Sequence, residues 1–256
     1  MGGEEFDKRW YILGGFAVLA VVIVGIILVS RSGGSSDDKG GSSTTASKES
    51  AKAAKEKEAA EEKPASEAEG KGAKSCKKVA QPKPREESLP KPKMTTKKGE
   101  KVTAVVETNC GTFDIELATT EDPITANSFA YLGEEGFYND LTFHRIVPEF
   151  VIQGGDPEGT GEGGPGYSVV EAPPQNFKYV LGTVAMAKTE TDPSGTSGSQ
   201  FYIVTGPQGE TLPAEYAVAG KVTKGLSVVE TIGELGGPEE KPTQPVVIEK
   251  MTIERG

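Results

Sequence analysis

Short stretches that alternate branched or aromatic residues with polar ones recur from residue 102 onward, and they predict strands rather than long helices. Val102 to Glu107 and Thr112 to Leu117 are β-branched runs parted by Thr108-Asn109-Cys110-Gly111, whose asparagine and glycine suit a tight turn, so a β-hairpin is predicted. Further strands are predicted over Leu141 to Ile146, Phe150 to Gln153, Thr183 to Ala187, Phe201 to Val204 and Tyr216 to Val222. A last one, Val246 to Ile253, carries Val247, Met251 and Ile253 on one side. Two segments follow helical spacing instead. Asp122-Pro123 is a cap followed by proline at the first helical position, leading into Ile124 to Leu132, with Gly133 or Gly136 to end the helix. Leu226 to Leu235 places Val228, Val229, Ile232 and Leu235 on one face. Many short strands, two helices and glycine-rich connections, without a βαβ rhythm, predict an antiparallel barrel or sandwich with helices over its ends.

One stretch is richer in chemistry than the rest. Phe143 to Asp156 reads Phe-His-Arg-Ile-Val-Pro-Glu-Phe-Val-Ile-Gln-Gly-Gly-Asp and holds the chain's single histidine, His144. Alternation would put Phe143, Arg145, Val147, Glu149, Val151 and Gln153 on one face. Pro148 cannot donate within a sheet, so two short strands joined by a turn or bulge are expected there. A guanidinium and an amide among aromatic and branched side chains suggest a polar claw at the edge of an apolar pocket.

The N-terminal part has a different pattern. Tyr11 to Val29 is wholly apolar or glycine, and at about 1.5 Å per helical residue it spans roughly the 30 Å hydrocarbon core of a bilayer. Trp10 and Tyr11 stand where interface aromatics stand, with Lys8, Arg9 and Arg31 outside them. A retained single-pass anchor is expected over 11–29, after a short tail over 1–10. A cleaved signal peptide fits less well, because the apolar run is long and Val29-Ser30-Arg31 is not a small-residue cleavage site. Residues 30–98 are expected to form a disordered linker. Ser32 to Ser75 has too few large apolar residues to offset its ordering entropy, and Pro82, Pro84, Pro90 and Pro92 stiffen the remainder into a spacer. The folded domain is expected over 99–256.

Charge and cysteine content narrow the function. Residues 1–99 carry 19 Lys+Arg against 14 Asp+Glu, or +5, leaving 9 against 24, or −15, for 100–256 out of a net −10. An acidic domain is a poor match to nucleic acid, so no such partner is expected. Cys76 and Cys110 are the only cysteines and both lie beyond the anchor. In an exported segment they could pair and staple the linker's end to the domain, or remain two free thiols. Two cysteines and one histidine offer no metal cluster, so neither metal nor cofactor is expected.

Five ordered blocks carry a resemblance: Phe143-His144-Arg145, Phe150, Gln153-Gly154-Gly155-Asp156, Gly182 to Ala187, and Gly198-Ser199-Gln200-Phe201-Tyr202-Ile203. They resemble the cyclophilin family of peptidyl-prolyl isomerases, particularly its bacterial members, over roughly Val102 to Ile253. The resemblance implies a closed eight-stranded antiparallel barrel capped by two α-helices, with the site on its outer face. It implies Arg145 as the catalytic arginine, Gln153 as its partner, and Phe150, Val151, Tyr202 and Leu212 around a proline pocket. Ala187, Lys188 and Gln200 match the groove beside the proline, His144 a supporting position, and Tyr216 a position that is histidine in eukaryotic members. Lys188, Val151 and Tyr202 depart from the commoner asparagine, methionine and phenylalanine, and Thr211 stands where tryptophan is frequent.

The chemistry is consistent with those residue types. Resonance gives an X-Pro bond a rotation barrier of about 18–20 kcal/mol, and the prolyl nitrogen gains a lone pair as the bond twists. A fixed, permanently protonated arginine can hold that lone pair without acting as a general acid. The expectation is therefore a membrane-tethered monomeric isomerase of proline-containing polypeptides, with its C-terminal domain outside the cytoplasm. A non-catalytic proline-peptide binding or chaperone module is the alternative.

Overall fold

A computed structural model describes residues 75–256. The anchor expected over 11–29 and the linker up to residue 74 lie outside the described residues. Among the described residues, no helix is long and apolar enough to cross a membrane.

The elements run in the order β1 (Val102–Thr108), β2 (Gly111–Leu117), α1 (Pro123–Glu134), β3 (Leu141–Val147), β4 (Val151–Gly154), β5 (Val169–Val170), β6 (Thr183–Met186), β7 (Thr196–Ser197), β8 (Phe201–Val204), β9 (Val218–Lys224), α2 (Leu226–Gly233) and β10 (Val247–Arg255). Eight strands close a barrel in the order β1-β10-β3-β4-β8-β6-β9-β2, every pairing antiparallel. Barrel rather than sandwich is thus the outcome, and closure leaves no free strand edge in it. The small β5–β7 ladder outside the barrel was not predicted, because two-residue strands carry no readable period.

Inward-facing residues fill the barrel. Phe113, Ile115, Phe143, Ile146, Ile152, Phe201 and Ile203 are each 0% exposed. Phe201 on β8 meets Phe129 of α1 edge-on at 5.4 Å, Tyr138 at 5.5 Å and Phe143 at 5.9 Å, which ties one capping helix to the barrel floor. α2 buries Val228, Val229 and Ile232, as its spacing predicts.

The start of α1 corrects one expectation. Asp122 occupies the cap position, but its side chain makes no capping hydrogen bond. The Thr125 amide donates instead to Glu171 Oε2 at 2.7 Å, from a residue 46 positions away. Asp122 is left buried with Oδ2 unpartnered among the described residues, and burial, with help from the Glu171 and Glu121 charges, pushes its carboxyl up to about 7. At the other end Gly136, at φ 72°, comes after the last turn as a glycine stop should.

The proline-rich stretch expected as a spacer is an arm lying against the domain. Cys76 is joined to Cys110 in a disulfide, and the Lys77 amide donates to Asn109 O at 2.8 Å. Arg85 donates to the carbonyls of Phe137 and Asn139, while its own amide and that of Leu89 reach Pro157 O and Pro165 O, both at 2.9 Å. Asn127 on α1 accepts from the Thr95 and Thr96 amides and donates to Lys93 O. The arm has no period of its own, since prolines remove ladder donors; its order comes from partners far along the chain.

Candidate active site

The site is a row of residues running across the outer face of the barrel. Strand register aligns Arg145 on β3 with Gln153 on β4, Gln153 with Tyr202 on β8, Tyr202 with Ala185 on β6, and Ala185 with Val218 on β9. Cross-strand neighbours on one face lie close enough for direct side-chain contact.

A bulge makes this row possible. Phe143 pairs with Gly154 and Arg145 with Gln153, so His144 is an extra residue in the ladder. The simple alternation that put Phe143 and Arg145 on one face is therefore corrected: Phe143 and Ile146 turn into the core, while Arg145 turns outward. Glu149 is not on that face either. Pro148 and Glu149 form the turn between β3 and β4, with Glu149 at φ 59° and the Phe150 amide donating to Val147 O at 3.1 Å. Val151 and Gln153, beyond the turn, do share the outer face, with Ile152 between them facing the core.

Polar groups along the row form one chain. Arg145 Nε donates to Glu240 Oε2 at 2.5 Å, and Nη1 donates to Gln153 Oε1 at 3.3 Å. Gln153 Nε2 donates to Gln200 Oε1 at 3.1 Å, and Gln200 Nε2 donates to Gly161 O and Gly163 O at 2.8 and 2.9 Å. The cation at one end sets the direction throughout, because a guanidinium can only donate. Buried Asp156 shapes the far end by accepting from the amides of Glu158 and Gly161.

Beside this chain lies an apolar cluster separate from the barrel core. Phe150, Ala187, Leu212 and Tyr216 pack, partly exposed, on buried Val151, Ala185, Tyr202, Val204, Val218 and Tyr179. Tyr202 and Tyr216 meet edge to face at 5.6 Å. The Tyr179 hydroxyl donates to Tyr216 O at 2.8 Å and accepts from Tyr216 N at 2.9 Å, fixing the segment that carries Tyr216. Burial pushes that phenol up to about 12, so it stays a neutral donor. A slot of this kind can take a pyrrolidine ring, and the neighbouring guanidinium keeps three N–H groups without a partner among the described residues.

The remaining sequence-predicted residues are placed less directly. His144 sits at the bulge with both ring nitrogens unpartnered among the described residues, and burial lowers its pKa, opposed by Asp156 and aided by Arg145. Burial thus favours the neutral imidazole at this position. The Lys188 ammonium is tied to Thr189 O, Asp192 O and the Glu215 carboxylate and lies 5.6 Å from the Tyr216 ring centre. It braces the groove wall. Glu240 and Tyr179 were not foreseen, and no local signal marks them: Glu240 reaches Arg145 across 95 residues of chain.

A closed eight-stranded antiparallel barrel with two helices, carrying an arginine–glutamine pair beside an apolar slot on its outer face, is a cyclophilin-like architecture. Residues 103–253 match the family described as cyclophilin type peptidyl-prolyl cis-trans isomerase/CLD. A Neurospora crassa protein named peptidyl-prolyl cis-trans isomerase-like 1 is 37% identical over 155 residues, covering 59% of this chain and 93% of the relative. Peptidyl-prolyl cis-trans isomerase B of Bacillus subtilis is 43% identical over 120 residues, 46% of this chain and 81% of the relative. A crystal structure of a Cryptosporidium parvum cyclophilin in the presence of the dipeptide Ala-Pro has a TM-score of 0.55 at 31% identity, covering 60% of this chain and 99% of that one. The chain belongs to the cyclophilin-type peptidyl-prolyl cis-trans isomerases, and its activity is the interconversion of cis and trans X-Pro bonds.

Proposed function

We propose that Arg145 carries the catalysis by donating to the prolyl nitrogen as the bond twists, while Phe150, Val151, Tyr202 and Leu212 grip the ring. Gln153 holds the guanidinium at its Nη1 edge, and this is the observation on which the assignment rests. The donor is strongest where the nitrogen lone pair is localised, so it favours the twisted state over either planar isomer. Arg145→Ala in the full chain is expected to lower kcat/KM by on the order of 10²-fold in a protease-coupled X-Pro peptide assay, with the melting temperature little changed. An unchanged rate overturns the assignment.

The setting of the enzyme belongs to the same proposal. The apolar run over 11–29 supports a single-pass anchor, and a disulfide between Cys76 and Cys110 supports a domain outside the cytoplasm, where such bonds persist. The chain would then be a bacterial, monomeric foldase acting on unfolded or newly exported polypeptides; the closed barrel, which offers no edge for pairing, supports the monomer. Labelling of intact cells at a cysteine engineered into the linker tests sidedness. Protection from an impermeant reagent contradicts export.

A further inference from the structure

We infer that Glu240 is a second positioning residue of the isomerase site, holding the Nε edge of Arg145 so that the guanidinium meets the substrate already oriented. This rests on the role proposed above for Arg145. The contact itself is short, 2.5 Å from Nε to Oε2, and comes from a loop after α2 that shares no strand with Arg145.

The loop that delivers the carboxylate is built at a conformational cost. Glu239 and Glu240 stand consecutively at φ 57° and 60°, the left-handed region that a Cβ resists. Their surroundings leave little slack. A Cβ on Gly236 would fall 2.5 Å from Pro148 Cδ and 2.8 Å from Ile146 O, so the loop lies directly on the end of β3 that carries Arg145. The Gly237 amide donates to Lys241 O at 2.7 Å, the Lys241 amide to Pro238 O at 3.2 Å, and the Thr243 amide to Leu235 O at 2.8 Å. The two glutamates are treated differently. Glu239 pairs with Lys241 at 3.0 Å on the exposed side, whereas Glu240 is turned onto Arg145. Glu240 stays 44% exposed and Arg145 24%, so what sets this contact apart is the loop's seat on β3 rather than burial.

Two holds on different edges do what one cannot. Gln153 alone, bound at Nη1, leaves the guanidinium free to pivot; Glu240 at Nε fixes its plane as well. The Nη2 donors and one on Nη1 are left for substrate in a plane already fixed, so orientation needs no further ordering when substrate binds. A carboxylate also offsets part of the arginine's charge, so the benefit must come from geometry. Glutamine offers an oxygen acceptor of the same reach and separates these two effects.

The experiment uses the full chain and measures kcat and KM separately on an X-Pro peptide. Glu240→Ala is expected to lower kcat about tenfold with KM within about twofold, and Glu240→Gln to keep at least about half of the wild-type kcat, at unchanged melting temperature. Equal damage in both variants, wild-type kcat in Glu240→Ala, or a raised kcat in either overturns the inference. Arg145→Ala run alongside separates the two claims: if it is inactive while the Glu240 variants match wild type, only the role of Glu240 fails; if it is fully active, the role of Arg145 fails first.

Discussion

Across β3, β4, β8, β6 and β9 the inward row is Ile146, Ile152, Ile203, Val184 and Gly220, and the outward row beside it is Arg145, Gln153, Tyr202, Ala185 and Val218. The four side chains of the first row are fully buried, and Gly220 ends it where a Cβ would lie 2.2 Å from Glu116 O. Nothing there needs a polar partner. The second row mixes a cation, an amide, a phenol and two small apolar groups, and it depends on contacts from outside the sheet: Glu240 at one end, Gln200 next to the middle, and Tyr216 edge-on to Tyr202. Stability and chemistry are thus separated by the strand's period of two rather than by distance along the chain. Covalent neighbours such as Ile152 and Gln153 should respond to mutation in opposite ways.

Ile152→Ala breaks the inward row and should cost about 2–5 kcal/mol by lost burial and the cavity left behind, read in a denaturant titration. Gln153→Ala, one residue on, should leave the midpoint within about 1 kcal/mol of wild type while kcat/KM falls about tenfold, because it removes one hold on Arg145. If both variants lose stability equally, the two rows are not separable.

The arm offers the next largest effect. The disulfide closes a sequence separation of 34 residues, for which loop entropy gives about 3–4 kcal/mol; Cys76→Ser should therefore lower the melting temperature without changing the activity that remains. The arm touches α1 and the loops and supplies no member of the outward row, so a fall in kcat at temperatures where the variant is fully folded would contradict that division.

A third test uses pH. The folded carboxyl of Asp122, at about 7, stands above its ordinary 3.8, so the folded state holds a proton that the unfolded chain releases. Its contribution is fully present below about pH 4 and is lost as pH rises through 7, on the order of a few kcal/mol. Asp122→Asn should flatten that decline in melting temperature between pH 4 and 8. His144 acts in the opposite sense. Its lowered pKa means the neutral ring is the one that fits, so its contribution is present above 6.5 and lost as pH falls through the folded value.

The smallest effect sharpens the comparison from the site's side. Tyr202 carries a buried hydroxyl with no partner among the described residues, a feature the inward row avoids. Tyr202→Phe should stabilise the domain by about 1 kcal/mol in calorimetry, since an unsatisfied polar group is removed at constant shape.

Much of this was legible in the chain. Alternation and turn residues marked the eight barrel strands and both helices to within a few positions, because side-chain period and glycine or proline punctuation are local properties. Arg145, Phe150 and Gln153 stood out in the Phe143 to Asp156 stretch, while Val151, Leu212, Tyr202 and Tyr216 joined them as site residues only through the family resemblance; the structure brings all seven to one face. Local pattern could not show that His144 is inserted into the ladder, which reverses the side on which Phe143 lies. Nor could it show that Glu171 rather than Asp122 serves the start of α1.

By itself, then, the order of residues determined which segments are strands, which turn, and which polar and aromatic side chains were available to build the outward row. Tertiary structure alone decided how the arginine is held, through Gln153 and Glu240, and that the proline-rich arm lies on the domain. The physical reason is range. Propensity and periodicity act over a few residues, whereas an ion pair across 95 positions or an arm tied to Asn109, Asn127 and Phe137 exists only after the barrel has closed.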